Sequence, residues 1–112
     1  MSSKQYIIKK IDEIVSGFKN VQVFYQYDND ESTHYIKIIP AGIYNSDKEY
    51  IDYENKFILD FISKFPNEEI VFLTENDIID IEPEKIIYHK TGIHYKNNLT
   101  TLSKLRRKIK AS

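Results

Sequence analysis

Two of the chain's three histidines lie within YHKTGIHY, residues 88 to 95. A two-residue turn at Thr91-Gly92 would set His89 opposite His94, with Cβ atoms about 5 Å apart. Two imidazoles at that distance make half of a metal site. The favoured two-residue turns need positive φ at their first central residue, which β-branched Thr91 resists. A three-residue loop, Lys90-Thr91-Gly92, asks for positive φ only at Gly92. In that register His89 faces Ile93 and Tyr88 faces His94, so the histidines point to opposite sides of the hairpin. With no third ligand nearby, the expectation is a hairpin and no metal site.

Other stretches resemble binding motifs and then fail. DNDES alternates Asp28, Asp30 and Ser32 as a calcium loop does, but the sixth position is Thr33 where Gly is needed, and the twelfth is Ile39 where Glu is needed. It reads as a solvated hairpin loop. The acidic run Glu75, Asp77, Asp80, Glu82, Glu84 has no phosphate-binding motif beside it and reads as charged surface. Only three glycines are present, at 17, 42 and 92, so no phosphate-cradling loop and no nucleophile elbow can be built. The chain has no cysteine, which removes disulfides and thiolate chemistry. No catalytic class is indicated; the expectation is a non-enzymatic chain without cofactor.

Two features are positive signals. Nine tyrosines and no tryptophan give large apolar area with polar tips, the side-chain type enriched at protein interfaces. Tyr25, Tyr27 and Tyr35 are the candidates for a cross-strand, partner-binding cluster. The second signal is charge. Residues 1–84 hold all 17 acidic groups against 8 basic, a balance of −9; residues 85–112 hold 8 basic groups and no acid. Lys104, Arg106, Arg107, Lys108 and Lys110 surround Leu99, Leu102, Leu105 and Ile109 at helical spacing. Such a segment suits phosphate backbones, but it suits better the acidic body of the same chain or of a second copy.

The positioning elements follow from periodicity. Residues 4–18 read as a helix, with Ile7, Ile8, Ile11, Ile14, Val15 and Phe18 on one stripe and a Ser2/Gln5 capping box. Residues 21–27 and 33–39 read as a hairpin in which Tyr25 faces Tyr35 and Val21 faces Ile39. Neither face of that hairpin is cleanly polar, so the second face needs a cover. Residues 46–65 read as the longest helix, capped by Ser46 with Glu49, with Tyr50, Tyr53, Phe57, Phe61 and Phe65 on its stripe. EIVFL, 69 to 73, reads as a strand. TENDIIDIEPE fits either a helical turn or a strand. IIYH opens another strand, and the basic segment reads as a last helix. The order α-β-β-α-β-β-α implies an α+β domain over 1–96 with an antiparallel sheet packed on helices. A basic helical tail over 97–112 would pack on the body or on a partner. The element order resembles that of small secretion-chaperone-like domains.

No unbroken apolar run marks a signal peptide or a span of roughly 18 residues, so the expectation is a cytoplasmic chain that stays off membranes. The richness in Ile, Lys, Asn and Tyr suits an AT-rich bacterial genome. Together these readings point to a small protein-binding or self-associating domain, immunity-, antitoxin- or chaperone-adaptor-like. The alternative is a nucleic-acid-binding protein that uses the basic C-terminal residues.

Overall fold

Ser2 opens the first helix as its pattern requires. Its Oγ accepts the Gln5 N–H at 3.1 Å, and the Gln5 side chain accepts the Ser2 N–H at 3.0 Å. Two orphan donors are satisfied at once. The computed structural model describes residues 1–18 and 20–92, and within them α1 runs Ser3–Gly17. Its stripe buries Tyr6, Ile7, Ile11, Ile14 and Val15. No described helix is long and apolar enough to cross a membrane.

β1 (Gln22–Asp28) and β2 (Thr33–Ile39) form the expected hairpin, but one residue out of the expected register. Asp28, not Tyr27, pairs with Thr33, and Tyr25 pairs with Ile36. The loop is shorter than DNDES because Asp28 belongs to the strand. Its carboxylate accepts the N–H groups of Asp30 (2.9 Å) and Glu31 (3.3 Å), and Ser32 closes the turn at φ 51°. A shift of one residue reverses the pairing of faces.

After Pro40 a short helix, α2 (Ala41–Ser46), precedes α3 (Lys48–Lys64). The expected Ser46 cap is displaced because Ser46 completes α2. Asp47 caps α3 instead, accepting the Tyr50 N–H at 3.1 Å. α3 buries Tyr50, Phe57 and Phe61, while Tyr53 and Phe65 pack at the core's border.

β3 (Glu69–Leu73) returns beside β2 in parallel, with Tyr35 paired to Val71. The two helices supply the long crossover that a parallel pair needs. The sheet is therefore mixed where an antiparallel one was expected. Its order is β3-β2-β1-β4, and the class is α+β. Residues 74–85 form neither helix nor strand except for a single 3-10 turn at Pro83–Lys85. β4 (Ile86–Thr91) then pairs antiparallel with β1.

The inner sheet face supplies Val21, Val23, Tyr25, Ile36 and Ile38 to a core closed by α1 and α3. Phe57 meets Phe72 edge-on at 5.4 Å, and Phe18 meets Tyr50 at 5.4 Å. Each such side chain contributes about 1.5–3 kcal/mol on burial.

The expected Lys90-Thr91-Gly92 turn is absent. Thr91 pairs with Gln22, and the Gly92 N–H donates to the Val21 carbonyl at 2.6 Å, so the strand runs straight through. Gly92 does not have positive φ. It is required for space: a Cβ there would lie 2.9 Å from the Val15 carbonyl oxygen and 3.2 Å from that of Phe18. His94 and the whole basic segment, including Lys104, Arg106, Arg107, Lys108 and Lys110, lie outside the described residues.

Candidate functional site

The register places the three candidate tyrosines in three different environments. Tyr25 lies on the inner face and is 0% exposed. Tyr27 shares that face, half-buried, with Lys4 Nζ 4.7 Å from its ring centroid. Tyr35 lies on the outer face with Gln26 and Val71 and donates its hydroxyl to Glu31 at 3.2 Å. The expected cross-strand cluster does not form, because the pleat separates Tyr35 from the other two.

Tyr25 belongs instead to a buried polar chain that the sequence reading missed. The Glu68 carboxylate accepts hydrogen bonds from His34 Nε2–H at 2.5 Å and from the Ser3 O–H at 2.8 Å. That leaves His34 Nδ1 to accept the Tyr25 O–H at 2.6 Å. Burial pushes the His34 pKa below its ordinary value, against the opposing pull of Glu68. Burial raises the Glu68 carboxyl, but its bonds to His34 and Ser3 outweigh this and hold it below the usual range. Burial also pushes the Tyr25 phenol up. Tyrosine, histidine and glutamate in series resemble a proton relay. Tyr25 and His34 are buried, and the series reaches the surface at its other end, where the Glu68 side chain is 26% exposed. The series ties the start of α1 and the approach to β3 onto the hairpin.

His89 also takes a role that spacing did not reveal. It stacks on Phe24 with centroids 4.1 Å apart and planes 5° from parallel. Among the described residues no three His, Asp or Glu side chains gather as metal ligands.

The pair His89–Phe24 lies on the outer face, which packs against none of the core cluster. Cross-sheet rows there read Leu73, Lys37, Phe24, His89 and Val71, Tyr35, Gln26, Ile86. Segment 74–85 is anchored to this face at two points: Lys37 Nζ contacts Asp80 at 2.8 Å, and Gln26 Oε1 accepts the Glu82 N–H at 2.7 Å. Within the segment Asp77 accepts the Thr74 N–H at 2.6 Å. Beneath it lies an apolar groove of about 250 Å³ lined by Phe24, Ile39, Ile81, Pro83 and Ile86 with Lys37 and Asp80. Above it Ile78 is fully exposed, at 101%, and Ile79 is 62% exposed. Glu75, Asp77, Asp80, Glu82 and Glu84 fall within the same eleven residues, 74–84.

No family model, no curated protein and no solved structure matches this chain.

Proposed function

We propose that the chain is a small non-enzymatic protein-binding domain whose docking surface is the acidic segment 74–85 and the outer sheet face beneath it. Its partner presents a basic surface striped with apolar side chains. The observation that carries this reading is Ile78-Ile79, two exposed isoleucines flanked in sequence by Asp77 and Asp80, with Glu75 two residues before Asp77. Interfaces are built from apolar anchors set in complementary charge. Burying both side chains would contribute about 1.5–3 kcal/mol each, enough for a submillimolar contact once charge attraction is added. Ile78 and Ile79 replace Tyr25 as contact residues; Tyr35 remains on the same face.

The test is fluorescence anisotropy with a labelled synthetic peptide of lysines and leucines at helical spacing. It is titrated against the full chain and against a full chain in which Arg106, Arg107, Lys108 and Lys110 are all changed to Gln, so that the chain's own cations do not compete. The neutralised chain should bind with Kd of about 0.1 mM, roughly −5.5 kcal/mol. Ile78→Ser with Ile79→Ser should weaken it at least fivefold, and added salt should weaken it further. No binding by the neutralised chain at millimolar peptide defeats the reading.

A further inference from the structure

The basic residues of the C-terminal segment and the acidic surface of 74–85 are complementary in kind and number. Five acids lie in 74–84 and five bases in 104–110. We infer that residues 97–110 of the same chain occupy the acidic outer face and compete there with a protein partner. This rests on the reading of that face as a docking surface, and it names its first occupant.

Three observations favour the chain's own segment over an outside one. The first is continuity. Gly92 is held in the ladder at the sheet's end, by the Val21 carbonyl, and residue 97 follows after four intervening residues. Those four, 93–96, span at most about 13–14 Å. Adjacent strands lie about 4.8 Å apart, so the connection is long enough to pass the β4 edge and turn over β1 towards Phe24. The second is pattern. Leu99, Leu102, Leu105 and Ile109 recur at spacings of three and four, a pattern that on a helix would gather them on one side. The outer face offers two apolar receivers for them, the groove beside Phe24, Ile39 and Ile81 and the bare Ile78-Ile79 pair. The third is charge. Segment 74–85 carries five acids and only Lys85, whereas 93–112 carries no acid at all. Asp80 and Glu82 already bond Lys37 and Lys85, and Glu84 lies in the field of Lys85; the described donors to Glu75 and Asp77 are the Ala41 N–H and Thr74.

The cost of self-occupation is readable as competition. A tether this short gives an effective concentration on the order of 1 mM. Against a probe whose own Kd is about 0.1 mM, an occupant of similar strength weakens binding roughly tenfold.

The chain lacks cysteine, so Glu84→Cys carries a single benzophenone-maleimide at the edge of the groove. The labelled full chain is irradiated, digested and mapped by mass spectrometry, using a mixture of ¹⁴N and ¹⁵N chains. Expected are adducts concentrated in 97–110, each within one isotopic chain, at a yield independent of protein concentration. Changing Arg106, Arg107, Lys108 and Lys110 to Gln should cut that yield at least fivefold and tighten the Lys/Leu peptide about tenfold. Adducts elsewhere, or a yield indifferent to the fourfold change, overturn the inference. Adducts joining the two isotopes overturn it in favour of a second copy. Salt-sensitive binding of labelled duplex DNA without adducts in 97–110 overturns it in favour of nucleic acid. Peptide binding without such adducts removes only this inference. Adducts without peptide binding by either form keep the intramolecular contact and remove the partner reading.

Discussion

Lowering the pH should destabilise this protein through His34, and the slope can be worked out from its surroundings. The imidazole is fully buried, donates its Nε2–H to Glu68 in a hydrogen bond and accepts the Tyr25 O–H at Nδ1. Protonating Nδ1 sets a second donor against a phenol that has no exposed surface through which to turn to water. Desolvation therefore outweighs the attraction of Glu68, and the folded pKa lies below the ordinary histidine value. Between that folded value and about 6.5, the unfolded chain binds a proton that the native chain does not, so stability rises with pH across this window. The limiting slope is about 1.4 kcal/mol per pH unit for one proton. The loss is complete once pH falls below the folded pKa. Glu68, whose folded pKa is lowered, adds stability that is present above its unfolded value and is lost further down in pH. Glu54 opposes both: burial raises its carboxyl, so its contribution falls as pH rises through the folded pKa. Urea unfolding followed by circular dichroism from pH 4.5 to 8, on the parent and on His34→Gln, cancels the Glu54 term in the difference. The variant should cost about 1–3 kcal/mol at pH 8 and should lose the slope between pH 5 and 7. A parent more stable at pH 5.5 than at pH 7.5 relative to the variant would refute the argument, because the Glu68 attraction would then exceed the cost of burying the charge.

The remaining predictions concern packing and caps, all read by urea midpoints. Gly92→Ala places a methyl 2.9 Å from a backbone oxygen of α1 and should cost about 1–3 kcal/mol. Gly17→Ala meets nothing within 4 Å inside helical backbone and should gain up to about 1 kcal/mol. Asp47→Ala should cost about 1 kcal/mol while Ser46→Ala costs far less, since Asp47 holds the Tyr50 N–H; the reverse order would restore the Ser46 cap. Phe61→Ala removes a ring packed against Tyr6, His34 and Phe65 and should cost about 3–5 kcal/mol.

Helices were legible in this sequence because their signals are dense. The α1 stripe and its Ser2/Gln5 box sit within seventeen residues, and the structure places both where spacing put them, with Phe18 as the C-cap. Strand identities were equally plain at VQVFYQY, THYIKII and EIVFL. Register was not, and the reason is local. The strand length depends on whether Asp28 ends the strand or starts the loop, and composition is silent on that because Asp suits both. One residue of ambiguity moved Tyr35 to the far face. The crossover that makes β2 and β3 parallel was also invisible: a six-residue helix after Pro40 carries too few residues to show a period. Gly92 misled for a different reason. Glycine is required both where φ is positive and where backbones approach closely, and a sequence does not say which.

The same reasoning explains why Tyr25, Tyr27 and Tyr35 were grouped as one cross-strand cluster. Tyrosine count pointed to an interface, yet a tyrosine whose hydroxyl finds a buried acceptor is a core residue. That acceptor, His34, and its anchor, Glu68, stand nine and thirty-four residues away from their partners in the chain. Only the fold brings them together. TENDIIDIEPE, by contrast, looked ambiguous as an element because it is neither helix nor strand. Its alternation of isoleucine with acid had no structural period to satisfy. An apolar pair left in a segment without a period is not held there by the core. Ile78, at full exposure, is not packed by the described residues. If that reasoning holds, Ile78→Ser with Ile79→Ser should leave the urea midpoint within about 0.5 kcal/mol of the parent while lowering peptide affinity. A large loss of stability from the pair would mean that the isoleucines serve the fold.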